Sequence, residues 1–290
     1  GDRVRLWVTL NEPVIHMLLG YGIGVHAPGR ALLAGALPAA HHQLLGHGLA
    51  VQALRARSAS QIGITNNYSP AWPATGEPAD VAAAITYDAL HNRLFTDPLL
   101  LGAYPEQLGD FARNLPEGTD DDLPDIAAPI DFLGVNYYNP TRLAGPKEGS
   151  ELPFEVVAIE GYPTTSFGWP IVPHALRDLL VELTGRYRDL LPPVYITENG
   201  CSWDDEPDET GAVPDPKRVD YLDGHLRELH AAISAGVDVR GYFVWSLLDN
   251  FEWAEGYTKR FGLVHVDYET MRRTPKTSFG WYRDLIAGQP

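Results

Sequence analysis

Short runs of β-branched, aromatic and aliphatic residues alternate along this 290-residue chain with longer stretches of helical periodicity. That alternation limits the fold more than any other feature. The runs are Leu6–Leu10, Ile62–Thr65, Phe132–Val135, Val194–Thr197 and Tyr242–Trp245. Each is almost continuously apolar, the pattern of strands covered on both faces of a parallel sheet. Between them Val172, Leu176, Leu179, Leu183, Tyr187 and Leu190 recur at three- and four-residue steps. So do Val219, Leu222, Leu226, Leu229 and Ile233, with Gly236 placed to stop that helix. Pro38–Arg57, Pro78–Phe95 and a last segment from about Pro275 to Ile286 are further helices. Strands alternating with helices imply parallel βα units joined by right-handed crossovers.

Polar residues gather directly after the strand-like runs: Asn11-Glu12, Asn66-Asn67, Asn136-Tyr137-Tyr138, Glu198-Asn199 and Ser246. Chemistry collected at successive strand ends marks the carboxyl-terminal face of a (β/α)8 barrel. A doubly wound sheet is the alternative, but no glycine-rich phosphate loop follows any strand. The expected fold class is therefore α/β of the TIM-barrel type, as one catalytic domain over residues 1–290. Only five units can be counted, and three more at this spacing need roughly 170 further residues. Either the sheet is open, or the chain is part of a longer protein whose first three βα units lie elsewhere.

The formal charge is −16, which disfavours nucleic acid and anionic membrane surfaces as partners and suits a neutral small molecule. No apolar run is long enough to span a bilayer, and no export leader is visible. Cys201 is the only cysteine, so an internal disulfide is excluded and a cytoplasmic setting is expected. It reads as a bystander thiol, having no His-containing signature. His41, His42 and His47 fall on one helix and read as packed or solvated rather than as metal ligands. The acidic stretch Asp204-Asp205-Glu206, with Asp208-Glu209, reads as a solvated loop.

Two glutamates stand apart. Glu12 closes the run Trp7-Val8-Thr9-Leu10-Asn11-Glu12-Pro13, and Glu198 closes Tyr195-Ile196-Thr197-Glu198-Asn199-Gly200. Either alone reads as a turn carboxylate. As a pair on two strands of one barrel face, each beside an Asn (Asn11, Asn199) that can donate an amide hydrogen bond, they match the needs of glycoside hydrolysis. That reaction uses one protonated carboxyl to protonate the leaving oxygen and one ionised carboxyl to attack or to activate water. Trp245-Ser246-Leu247-Leu248-Asp249-Asn250-Phe251-Glu252-Trp253 adds flat indoles that stack on a pyranose and a carboxylate that accepts from its hydroxyls.

The Thr9–Pro13 and Ile196–Gly200 segments resemble the two signatures of the family 1 glycoside hydrolases, the β-glucosidase family. The likeness continues through Gly20–Gly29, Phe132–Tyr138, Gly168–Leu180 and Gly241–Tyr268, so it covers essentially the whole chain. The resemblance implies a (β/α)8 fold and a retaining mechanism without metal or other cofactor. It implies Glu12, after the fourth barrel strand, as acid/base and Glu198, after the seventh, as nucleophile. Asn11 is then expected to hold the sugar 2-hydroxyl, and Tyr138, paired with Asn136, to hydrogen-bond Glu198. Trp245 becomes the floor of the sugar site, Glu252 and Trp253 grip outer hydroxyls, and Phe261 lines the same pocket. A carboxylate at Glu252 disfavours 6-phosphorylated sugars, so the expected substrate is an unphosphorylated β-glucoside or oligosaccharide.

The sequence departs from the family pattern at Val14, where an aromatic residue is usual; the expectation is a less stacked leaving-group wall. The family's sugar-binding residues after its first and third strands, and an Arg of its second strand that holds the nucleophile, have no counterpart here. The chain is then a working glycosidase, a non-catalytic remnant, or one part of a split enzyme that needs an N-terminal fragment or an oligomeric partner.

Overall fold

The structure, a computed structural model, describes residues 3–288. Its centre is a sheet of five strands, β1 (Leu6–Asn11), β2 (Gln61–Tyr68), β3 (Phe132–Tyr137), β4 (Val194–Asn199) and β5 (Val239–Val244). They lie side by side in chain order and every pairing is parallel. Each expected run is a strand. The last is displaced: it begins at Val239, which pairs with Val194, and ends before Trp245. A polar residue, Arg240, hides that start in the sequence.

Six longer helices fill the connections: α1 (Leu37–Arg55), α2 (Pro78–His91), α3 (Thr119–Ile126), α4 (Pro173–Tyr187), α5 (Pro216–Ser234) and α6 (Thr277–Ile286). Proline in the first turn starts α1, α2, α4 and α5, where its missing N–H costs nothing. Helix α2 stops at His91 instead of running to Phe95. Asn92 there turns its side chain to Ser69, donating to the Ser69 carbonyl at 3.0 Å and accepting the Ser69 N–H at 3.1 Å.

The strictly sequential strand order separates this fold from the doubly wound alternative, which needs a reversal of order. With right-handed crossovers, sequential winding carries the helices along one face of the sheet. The main core lies between them, where Ile64, Leu133, Val135 and Ile196 of the strands meet Leu176, Leu180 and Leu183 of α4.

Burial on both faces holds for the central strands and fails at the edges. All six residues of β3 are buried, whereas Val8 of β1 is 43% exposed and Phe243 of β5 is 52% exposed. The continuous apolar pattern of the two edge strands is thus written for more cover than these residues give them. At the opposite ends of the strands, register breaks between Val8 and Asn11, Val135 and Asn136, and Ile196 and Asn199. Such irregularities re-aim side chains, and here they fall beside Glu12, Asn136 and Glu198.

Asp205 corrects the reading of its loop as solvated. It is buried and pairs with Arg218 and Lys276, both at 2.7 Å. His41 and His47 are buried, held by Asp122 and Tyr104 and by Thr9 respectively, and His42 is exposed. No helix among the described residues is long and apolar enough to cross a membrane. Among the described residues no group of three His, Cys, Asp or Glu side chains is set to hold a metal ion.

Candidate active site

Glu12 leaves β1 in a left-handed backbone conformation, φ 49°, with its N–H donating to the Thr65 carbonyl of β2 at 2.8 Å. A non-glycine residue in that region carries strain of the kind found at functional positions. The turn aims its carboxyl at two amides. Asn136 Nδ2 donates to Glu12 Oε1 at 2.8 Å, and Asn67 Nδ2 donates to the same oxygen at 3.0 Å. Glu198, at the end of β4, is held differently. Asn11 Nδ2 donates to its Oε1 at 3.1 Å and the Tyr138 hydroxyl to its Oε2 at 2.7 Å. Asn136 also donates to Asn11 Oδ1 at 3.2 Å, so one line of amides runs from one carboxyl to the other. Thr197 fixes the line from behind, its hydroxyl donating to Asn136 Oδ1 at 2.6 Å.

This arrangement distributes a proton. Burial raises the proton affinity of both carboxyls, and the charge of Glu12 adds to the rise at Glu198, whose pKa is pushed up to about 7. Two close carboxyls in one poorly solvated site cannot both ionise cheaply, so the pair keeps a proton near neutrality. Glu198 has a donor on each oxygen, an arrangement suited to the anion. Glu12 receives both its donors on Oε1, which leaves Oε2 free to carry the proton. Tyr138 remains a hydroxyl donor, because burial and the neighbouring carboxylates lift it well above the ordinary phenol range.

Both glutamates open into one cavity of about 580 Å³. Asn11, Tyr138, Trp245, Glu252, Trp253 and Phe261 line it, so the residues singled out in the sequence converge, with Asn136 just behind the carboxyls. Phe261 is buried in an aromatic cluster with Tyr138 at 6.4 Å, Phe167 at 6.1 Å and Trp169 at 6.0 Å between ring centres. Trp253 is 66% exposed at the rim and stacks on His26 with ring centres 5.5 Å apart. Burial also raises the proton affinity of Glu252, the third carboxyl of the cavity.

Two expectations are corrected. Val14 does not border the leaving-group side: it is 1% exposed and packs into the main core, while Ile15, His16 and Leu19 face the cavity. The register irregularity and the helical turn at Pro13 rotate residue 14 inward. Asn199 does not serve Glu198. Its amide donates to the Tyr137 carbonyl at 2.7 Å and accepts from the Tyr242 hydroxyl at 2.6 Å, tying three strands together. Sequence reasoning missed Asn67 as a carboxyl ligand, although it stands at a strand end like the others. It also missed Phe167, Trp169 and His26, which lie in loops where neither period nor strand end marks them.

Two amide-clamped carboxyls at the ends of parallel strands, over one aromatic-lined cavity, are what the signature segments led one to expect. The sequence profile of glycosyl hydrolase family 1 matches residues 1–289. The chain belongs to that family. Beta-glucosidase A of Thermotoga maritima is 43% identical over 290 residues, covering 99% of this chain and 64% of its relative. A bifunctional beta-D-glucosidase/beta-D-fucosidase of Bifidobacterium breve is 41% identical over 308 residues, covering 99% and 65%. Among solved structures, the family 1 b-glucosidase of Thermotoga maritima superposes with a TM-score of 0.94 at 42% identity, covering 99% of this chain and 64% of that one. A psychrophilic beta-glucosidase of Micrococcus antarcticus gives 0.92 at 46% identity, covering 99% and 66%. The α/β fold is therefore that of the family 1 glucosidases, and the chain spans about 64% of the length of such relatives. The Thermotoga enzyme has also been crystallised with isofagomine lactam.

Proposed function

We propose that this chain carries the catalytic centre of a retaining β-glucosidase, in one catalytic domain, with Glu12 as acid/base and Glu198 as nucleophile. The observation that supports the reading most directly is the unequal clamping of the two carboxyls over one cavity. Glu198, with a donor on each oxygen, attacks the anomeric carbon. Glu12, protonated on Oε2, hands its proton to the departing oxygen. In the second half-reaction Glu12 takes a proton from water, which then displaces Glu198. Asn11 is poised to give its amide to the 2-hydroxyl as the oxocarbenium-like state forms. Trp245 floors the sugar, Glu252 and Trp253 bind its outer hydroxyls, and Phe261 backs the ring. Retention, rather than inversion, rests on family membership, as does the β-D-glucosyl substrate with its small-molecule aglycone. The lone thiol, Cys201, fits a cytoplasmic setting.

A second reading concerns the unit that works. The sheet has five sequential parallel strands, its edge strands bare Val8 and Phe243, and the chain spans about 64% of its relatives. These facts favour an eight-unit barrel whose first three βα units come from outside these 290 residues. Neither catalytic carboxyl is paired with a Lys or Arg among the described residues, and Glu198 sits high for an anion. A cation supplied by those units lowers it and fixes the ionised form.

Turnover of an aryl β-glucoside by the chain, with and without an N-terminal fragment of the family's first three units, tests both readings. The expected result is turnover that falls by at least about a thousandfold in Glu198→Gln. Turnover only with the fragment selects the split unit, and none under either condition overturns the proposed function. A glucoside should also be cleaved in preference to its 6-phosphate, since a phosphate dianion opposes Glu252; the reverse preference removes Glu252 from the sugar site.

A further inference from the structure

Behind Glu12 the cavity wall continues into a string of polar side chains that the proposed chemistry does not use. Asn67 Oδ1, on the far side of the amide that donates to Glu12, lies 3.0 Å from His91 Nε2. His91 Nδ1 lies 3.3 Å from the Tyr87 hydroxyl, and the two rings stack with centres 5.1 Å apart. The Tyr87 hydroxyl reaches Thr141 Oγ1 at 3.1 Å, and Thr141 reaches Ser69 Oγ at 2.7 Å. Helix α2, through its last turn, thus touches the reacting carboxyl by way of one amide.

The direction of these bonds follows from what each atom is able to do. An amide oxygen only accepts, so His91 Nε2 carries a hydrogen. A phenol hydroxyl is able to donate, so Nδ1 is the unprotonated nitrogen of a neutral ring. Burial keeps the ring neutral, its pKa pulled down to about 4. The cavity beside the string is lined by the titratable side chains of Glu12, His16, His26, Tyr138, Glu198, Glu252 and Glu255, and Tyr87 lies behind it.

We propose that His91 is a positioning residue for the acid/base: by donating Nε2–H to Asn67 Oδ1 it locks that amide with its N–H on Glu12 Oε1, and so assigns the proton to Oε2. An unlocked amide is free to turn its oxygen toward Glu12. Either loss of the donor or arrival of an oxygen disfavours the Glu12 anion, so both act in the same sense. His91 is to Asn67 what Thr197 is to Asn136: each of the two amides on Glu12 Oε1 has one side chain behind it that fixes which end points forward.

The inference rests on Glu12 as acid/base, and its test is read separately from turnover. In the full chain with 13C-labelled glutamate carboxyls, the Glu12 resonance is assigned by its loss in Glu12→Gln and titrated. His91→Phe keeps the stack on Tyr87 and removes the donor; the Glu12 titration should move upward by about one pH unit, the size expected of one hydrogen bond to an ionised group. His91→Gln restores a donor and should return the titration toward the parent. In an Asn67→Ala background, His91→Phe should shift nothing further. An unchanged titration in His91→Phe, an equal shift in Phe and Gln variants, or an undiminished shift without Asn67 overturns the proposal. If His91→Phe fails to fold, the Gln variant and Asn67→Ala decide alone: parent-like and raised titrations respectively sustain it, and any other pair overturns it. Loss of glucoside turnover in the parent, by contrast, sinks only the assigned chemistry and leaves this carboxyl titration readable.

Discussion

The two glutamates are costly to keep where they are. The Glu198 carboxyl stands at about 7 in the fold against 4.5 for an ordinary glutamate, because burial and Glu12 oppose its charge. A group whose folded pKa is raised binds more protons folded than unfolded, so its contribution falls as pH climbs from 4.5 through 7. The strain is fully present above that window and amounts to roughly 3 kcal/mol. Glu198→Gln, neutral at every pH, should therefore be more stable than the parent above pH 7, with the advantage shrinking toward pH 4.5. Urea unfolding of both proteins at pH 5 and pH 8 measures it, and an advantage larger at pH 5 contradicts this electrostatic account. The proposed role as nucleophile and stability pull in opposite senses at this residue, as expected where a site is arranged for charge.

At the scale of the elements, the clamp depends on how tightly β3 packs between its neighbours. Gly134 of β3 lies two residues before Asn136, and an added Cβ there meets Thr65 Oγ1 of β2 and comes within 2.9 Å of Thr197 Oγ1 of β4. Thr197 is the side chain that orients Asn136. Gly134→Ala should therefore cost about 1–3 kcal/mol of stability as an overpacked site and should also weaken the clamp on Glu12. A combined loss in thermal midpoint and in turnover is the expected outcome; loss of stability with unchanged turnover at permissive temperature separates the clamp from the packing. The role of this glycine was hidden in the sequence because Phe132–Val135 reads simply as a buried strand. What the position lacks, a Cβ, matters only once the flanking strands are known.

Across the whole molecule, a buried cluster of three cations and three anions ties together the loops after β4 and β5 and the start of α6. Lys276 reaches Asp205 at 2.7 Å and Asp249 at 3.0 Å, Arg218 pairs with Asp205 and Asp215, and Arg260 pairs with Asp249 at 2.9 Å. Asp249 begins the segment that carries Glu252 and Trp253 to the cavity, so the cluster braces that cavity-lining loop from beneath. Burial pulls the Lys276 ammonium below the usual lysine range. Removing it leaves three carboxylates against two arginines, with Asp205 and Asp249 each one partner short, and breaking a buried pair typically costs about 3–5 kcal/mol. Lys276→Met should lower stability by about that much, read by chemical denaturation, and should raise KM for glucoside more than it lowers kcat. A neutral substitution would show that the remaining arginines neutralise the cluster unaided.

The sequence by itself determined the α/β alternation, the strand ends where polar side chains gather and the two glutamates, Glu12 and Glu198, that share one cavity. These are local matters: an apolar run and the polar residue that closes it are adjacent in the chain, and Glu12 and Glu198 sit within recognisable segments. It also led to Asn11, Asn136 and Tyr138, which the structure brings to the two carboxyls. Only the tertiary structure decided what faces what. Val14 turned into the core, Asn199 served the sheet rather than its neighbour, and Asp205 entered an ion cluster instead of water. Asn67 stood at a marked strand end, but its bond to Glu12 depended on the neighbouring strand, and Phe167, Trp169 and His26 came to the cavity from loops that carry no local mark of it. Each of these depends on partners tens to hundreds of residues away, and the free energy that fixes such a side chain lies in burial and pairing between segments.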